Sequence, residues 1–176
     1  MDAGTRRQEL LDRLSAARAP LAAARLGEQL GVSRQIIVGD VALLRAGGHP
    51  IRATSRGYLL ARPSLRPRRS IAVQHAREDI AAELEAIIGA GGAVLDVSVE
   101  HRLYGQITVD LLIRDAQDIS HLLSRLPDST ALCELTNGWH THTIEADSQS
   151  ALDAIEARLE ALGFLRRPLP RATTTP

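Results

Sequence analysis

Gly31-Val32-Ser33-Arg34-Gln35-Ile36-Ile37-Val38-Gly39-Asp40-Val41-Ala42-Leu43-Leu44-Arg45 decides how the first part of this chain folds. Ser33 is a good N-cap, because its hydroxyl can accept a backbone amide that a first helical turn leaves unpaired. Ile37, Val41 and Leu44 follow at i, i+4 and i+7, which predicts one buried stripe, and Gly47-Gly48 should end the helix. Upstream, Leu10, Leu11 and Leu14 mark a first helix, whose start at Thr5-Arg6-Arg7-Gln8 fits a capping box. A second helix should follow Pro20 and run through Ala24 and Leu26 to Leu30, with Gly31 taking the left-handed conformation that closes it. Downstream, Ile51 to Thr54 and Tyr58 to Ala61, joined by Ser55-Arg56-Gly57, read as a short hairpin. Three helices and a hairpin form the pattern of a winged helix-turn-helix.

The whole chain has 176 residues, 44% hydrophobic and 24% charged, which excludes extended disorder. Tyr58, Tyr104, Trp139 and Phe164 are its only aromatic residues, so it cannot bind nucleic acid by stacking bases on rings. The longest uncharged apolar run, Ala86 to Leu95, is far too short for a membrane span. With no export signal and with Cys133 as its only cysteine, the chain reads as cytoplasmic, without a disulfide or thiolate cluster. Net charge is zero, but unevenly placed. Residues 1–70 carry 13 arginines against 5 acids, a net of +8, and residues 71–176 carry 8 against 16, a net of −8. A cationic module for a polyanion is therefore joined to an acidic module with another task.

The expected division is a winged helix-turn-helix over residues 1–61, an Arg/Pro-rich linker over 62–70, an acidic domain over 71–166 and a flexible tail over 167–176. The acidic domain alternates β-α-β-β-α-β before a C-terminal helix, the order of a split βαβ, ferredoxin-like sheet. The fold class is α+β.

On the third helix, Arg34, Gln35 and Val38 lie off the buried stripe near the N-terminus, where a helix-turn-helix reaches base edges. Arg suits guanine, Gln adenine, and Val a thymine methyl. Ser33 and the free amides beside it suit a phosphate. Arg52, Thr54 and Arg56 of the hairpin can face the DNA backbone or minor groove. A protein-interaction winged helix with solvated arginines is the alternative, which the local charge disfavours.

In the acidic half, His140-Thr141-His142 places two imidazoles on one face of a predicted strand. Such a pair is a half-site for a divalent metal such as zinc or nickel, or simply a satisfied surface pair. His75 after the first strand and Glu83 on the next helix can converge on it, because the first and fourth strands of such a sheet can lie close together. His101 with Arg102 and Tyr104 suits a small carboxylate, against a hairpin-corner histidine bonded to backbone. His49 and His121 read as surface residues, and Cys133 as a small core residue.

These residues resemble a known family. Val32-Ser33-Arg34-Gln35 through Arg45, then Thr54-Ser55-Arg56-Gly57-Tyr58, is similar to the winged helix of bacterial regulators. His75, Glu83-Leu84, Asp96-Val97-Ser98-Val99-Glu100-His101, Tyr104-Gly105 and Leu135-Thr136-Asn137-Gly138-Trp139-His140-Thr141-His142-Thr143-Ile144 resemble the three-histidine (3H) domain of nicotinate-responsive transcriptional repressors. The resemblance implies a homodimeric repressor of genes for NAD precursor synthesis or niacin uptake, binding operator DNA, with nicotinate or a related pyridine carboxylate as corepressor. It further implies that His75, Glu83, His140 and His142 hold one divalent metal. Two rival readings remain at this stage. One is a regulator that senses the metal itself. The other is a metal-dependent hydrolase fused to a DNA-binding domain, with Glu100 or Glu145 as general base.

Overall fold

The computed structural model describes residues 2–128 and 130–167, and the chain divides into two compact units between Ser64 and Leu65. The first unit holds α1 (Ala3–Ala16), α2 (Ala23–Leu30) and α3 (Arg34–Ala46), then the hairpin β1 (Ile51–Thr54) and β2 (Gly57–Leu60). Leu10, Leu14, Leu26, Leu30, Ile37, Val41, Leu44 and Ile51 form its core, as the apolar stripes require. The helix start differs from expectation. Asp2, not Thr5, caps α1, its carboxylate accepting the amides of Gly4 (2.9 Å) and Thr5 (3.1 Å). A full negative charge at the positive end of the helix outcompetes a hydroxyl, and the Thr5 hydroxyl donates to Asp2 instead.

Asp40, unremarked in the sequence pattern, is buried and pins α3 to α1. Arg6 reaches it through Nε at 2.6 Å and Nη2 at 3.2 Å. Gly57 lies where the hairpin meets the segment before α2. Its φ is +133°, and a Cβ there would fall 2.1 Å from the Leu21 carbonyl oxygen. Only glycine permits the paired backbone bonds between Leu21 and Tyr58 (2.8 and 2.9 Å).

The second unit runs β3 (Arg68–Gln74), α4 (Ile80–Gly89), β4 (Ala93–His101), β5 (Gly105–Ile113), α5 (Ala116–Arg125), β6 (Trp139–Glu145), α6 (Gln149–Ala161) and β7 (Leu165–Arg166). Strand β3 begins at Arg68, so the last three residues of the expected linker pair with β6 instead. The expected tail over 167–176 lies, beyond Arg167, outside the described residues.

The strands lie in the order β5-β4-β6-β3-β7, each neighbouring pair antiparallel. Strands β3 and β4, joined through α4, therefore run parallel with β6 between them, a split βαβ unit. The inserted strand is the fourth of the domain, which places β6 directly against β3. One sheet face meets the helices: Ile71, Val73, Val94 and Ile144 pack with Leu84 and Ile87 of α4, Ile119 of α5, and Leu152, Ile155 and Leu159 of α6.

A bulge interrupts β4 between Val94 and Asp96, shifting the register against β6 by one residue. Two elements had no periodic signal: the 3-10 turn Leu132–Thr136, which packs on β4 and β6, and the two-residue β7. Among the described residues, no helix is long and apolar enough to cross a membrane.

Candidate functional site

On β3 and β6, residues paired across the strands share a face, and Ile71 lies opposite His142 while Val73 lies opposite His140. Both histidines thus point into the layer between sheet and helices, where His75 follows at the end of β3 and Glu83 descends from the first turn of α4. His75, Glu83, His140 and His142 are all buried. Each imidazole makes the same outward bond. Nδ1 of His75 faces the Ala76 carbonyl (2.7 Å), Nδ1 of His140 the Gly138 carbonyl (2.8 Å), and Nδ1 of His142 the Asp96 carbonyl (2.7 Å). A carbonyl only accepts, so all three Nδ1 atoms carry the proton, and a neutral ring must present a bare lone pair at Nε2.

All three Nε2 atoms converge on the Glu83 carboxylate. His75 lies 2.8 Å and His140 3.4 Å from Oε2, while His142 lies 3.3 Å from Oε1. That last contact is near in distance but poor in direction, and Oε1 accepts no hydrogen bond. Acceptors of four side chains facing one another in a buried site repel unless cations stand between them. Protons are one solution. Burial opposes charging His75 and His142, yet Glu83 holds both above the usual imidazole range. Burial likewise opposes ionising Glu83, but the imidazoles hold its carboxyl well below the usual carboxylate range.

A metal ion is the other solution, and the donor chemistry fits it. Nitrogen and oxygen ligands of one tetrahedral ion stand about 3.3 Å apart. The two longer contacts are near that spacing, whereas a charged hydrogen bond is about 2.7–2.9 Å. His75, Glu83 and His140 keep their donor atoms within 4.8 Å of one another. His142 stands outside that set of three but reaches the second carboxylate oxygen. The carbonyl partners fix ring orientation and tautomer as metal-site histidines require.

Local backbone geometry places these rings. Gly138, at φ +86°, precedes β6, and a Cβ there would fall 2.3 Å from the carbonyl oxygen of His75. Only glycine lets the turn into His140 pass so close to β3. The β4 bulge turns the Asp96 carbonyl toward His142, while the Asp96 side chain takes the Thr143 amide at 3.1 Å. Sequence reasoning missed both, although Asn-Gly before the paired histidines was a visible turn signal.

His101, Arg102 and Tyr104 stand apart from this group, at the tip of the β4–β5 hairpin. His101 Nδ1 accepts the amides of Leu103 (3.2 Å) and Tyr104 (3.4 Å), the backbone-bonded corner role. Its ring stacks on Tyr104 with centroids 5.0 Å apart.

In the first unit, Arg34 and Gln35 are exposed on the opening turn of α3, and Ser33 accepts the Ile36 amide at 3.3 Å. Val38 is half-buried, whereas Ile36, which periodicity did not single out, is exposed beside Gln35. In the hairpin, Arg52 and Arg56 are half-buried, and the Thr54 hydroxyl donates to the Gly57 carbonyl at 3.0 Å while accepting the Arg56 amide.

Comparison with known proteins bears on both units. Residues 68–168 match the 3H domain and residues 6–59 an HTH domain. The chain is 38% identical over 154 residues to the probable transcription repressor NiaR of Thermotoga maritima, covering 86% of this chain and 88% of that protein. It is 36% identical over 166 residues to the transcription repressor NadR of Bacillus subtilis, covering 91% and 92% respectively.

Proposed function

The chain belongs to the 3H-domain family and is a transcription repressor rather than an enzyme, and from that premise we propose that nicotinate is its corepressor. In this reading His75, Glu83, His140 and His142 hold one divalent transition metal, zinc or nickel, in the acidic unit. The observation that carries it is the convergence of three tautomer-locked Nε2 atoms on one buried carboxylate. The metal would supply a fixed positive centre. The chain's own residues do the rest: carbonyls of Ala76, Gly138 and Asp96 hold the rings, and α4 holds Glu83.

Arg34 and Gln35 are the proposed base readers, with Val38 and the exposed Ile36 beside them for thymine methyls. Ser33's neighbouring amides and Arg52, Thr54 and Arg56 contact phosphates. The working species is a cytoplasmic homodimer, since a two-fold pair of recognition helices matches a palindromic operator. Nicotinate raises the population of dimers competent for operator binding, and the silenced genes serve NAD precursor synthesis or niacin uptake.

Calorimetry on zinc- or nickel-loaded protein tests this directly. Nicotinate should bind with measurable heat and tighten operator binding in a parallel mobility-shift assay, and His140→Ala should abolish that tightening. Absence of nicotinate heat, with operator affinity following metal alone, would retire the corepressor in favour of a metal sensor.

A further inference from the structure

Beside the histidine group, between the Leu132–Thr136 turn and the β3–β7 edge, lies an open cleft of about 640 Å³. That volume is within the range of small-molecule sites. His75 and Cys133 line it, as do the paired Arg77 and Glu134. We propose that this cleft binds a small monocarboxylate, whose carboxylate is held by Arg166. The proposal rests on the corepressor reading for the identity of the acid, but not for the site.

The charge pattern sets Arg166 apart from its neighbours. Arg77 meets Glu134 at 2.7 Å, Arg167 meets Glu160 at 3.1 Å, and Arg69 meets Asp153 at 2.8 Å. Arg166 has only neutral partners. Its Nε donates to Gln74 Oε1 (3.2 Å), and its Nη1 donates to the carbonyls of Gly163 (2.8 Å) and Leu165 (2.9 Å). Among the described residues, Nη2 has no hydrogen bond and no carboxylate comes within ion-pair distance. With Arg77 and Glu134 cancelling, the cleft carries one surplus positive charge, the complement of a single carboxylate.

The guanidinium is also held in place before any ligand arrives. Three bonds to neutral acceptors fix its plane on a half-buried strand without satisfying its charge. An anion therefore gains a charge-assisted bond without the cost of ordering a mobile side chain. Ala76 and Cys133 give the cleft an apolar wall for the body of the acid. Gln74 links this cation to the histidine group, since its Nε2 donates to the Asn137 carbonyl (3.3 Å) in the turn that leads to His140. Occupancy at Arg166 thus acts on the backbone that positions a proposed metal ligand.

The test is calorimetry on full-length, zinc-loaded protein with nicotinate, benzoate and nicotinamide, repeated on Arg166→Gln and Arg166→Lys, with zinc content measured for each preparation. Wild type should bind the acids and discriminate against the neutral amide. Arg166→Gln should weaken acid binding about ten- to a hundredfold and erase the acid–amide difference, and Arg166→Lys should restore part of it. Nicotinate binding that survives Arg166→Gln with its acid preference intact overturns this site and leaves the corepressor reading standing. Arg166-dependent binding of benzoate but not nicotinate has the opposite outcome, upholding the site and retiring nicotinate. Binding of neither acid by wild type overturns both.

Discussion

Loading a metal onto the histidine group should expel protons, and the hydrogen bonds say from which atoms. All three Nδ1 atoms are committed to carbonyls, so any further proton on these rings sits on Nε2, where the ion would bind. His75 and His142 are held above their ordinary 6.5, because the Glu83 carboxylate more than offsets the burial that opposes their charging. Glu83 is held well below its ordinary 4.5 and is already ionised at neutrality, so it releases none. Up to two protons should therefore leave as the ion enters. Apparent zinc affinity should rise about tenfold per pH unit for each proton displaced, about 1.4 kcal/mol each, with the slope steepening toward two as pH falls and both rings charge.

The stability of the two forms should then respond to pH in opposite senses. Without metal, the raised imidazoles contribute stability below their unfolded pKa and lose it as pH rises through their folded values. The lowered Glu83 contributes above its unfolded pKa and loses its share as pH falls through its folded value. The metal-free domain is thus steadiest in mild acid, while the loaded domain gains as pH rises. Zinc calorimetry in two buffers of different ionisation enthalpy measures the proton count, and melting curves across about pH 5 to 8 measure the trend. Equal heats in both buffers, with an affinity flat across that range, would refute the charging of His75 and His142 in the metal-free domain.

Gly138→Ala forces an L side chain into left-handed backbone, at a cost of about 1–2 kcal/mol, and also drives a methyl into the His75 carbonyl. Denaturant unfolding should show a loss of at least about 2 kcal/mol together with reduced zinc stoichiometry, and an unshifted midpoint would contradict the close approach. Arg34→Ala should cost about 1–3 kcal/mol of operator binding and relax preference at one base pair, read by anisotropy against a scrambled duplex. Uniform weakening on both duplexes would make Arg34 a phosphate contact instead. Glu145→Gln should leave nicotinate and zinc binding intact but reduce the nicotinate-driven gain in operator affinity, and an undiminished gain would remove Glu145 from the coupling.

Much of this was legible in the sequence, because it depended on local pattern. The apolar spacing of Ile37, Val41 and Leu44 fixes the inward side of α3, and alternation along β6 puts His140 and His142 on one face. The remainder depends on contacts between distant segments. Asp40 looks like an ordinary helix acid until Arg6, 34 residues away, closes on it. The Asp96 carbonyl becomes a partner of His142 only because of a bulge, and no residue type announces one. The cap of α1 was misplaced because Thr5 and Asp2 both satisfy local rules, and only the strength of a charged acceptor decides between them. Arg166 escaped notice because a two-residue strand carries no periodicity at all.

Strand β6 explains why the histidine group can matter beyond its own pocket. His140 and His142 occupy its first half, and it ends at Glu145, a buried carboxylate that accepts Nε and Nη2 of Arg68 at 2.9 and 2.8 Å. Arg66 also approaches Glu145, at 3.8 Å. Both arginines belong to the segment by which the chain enters the second unit, just past Ser64. A seven-residue paired strand is stiff, so a shift at its histidines is expected to be felt along its length as far as Glu145, which pairs with Arg68 of β3. Arg114, the residue after β5, approaches Glu145 as closely as Arg66 does, and Arg66 is also held by Asp147, so this buried carboxylate gathers the entering segment and the end of β5 at one point. Removing the charge of Glu145 should therefore separate sensing from response, since it weakens the hold on Arg68 while leaving in place the nitrogens that face Glu83.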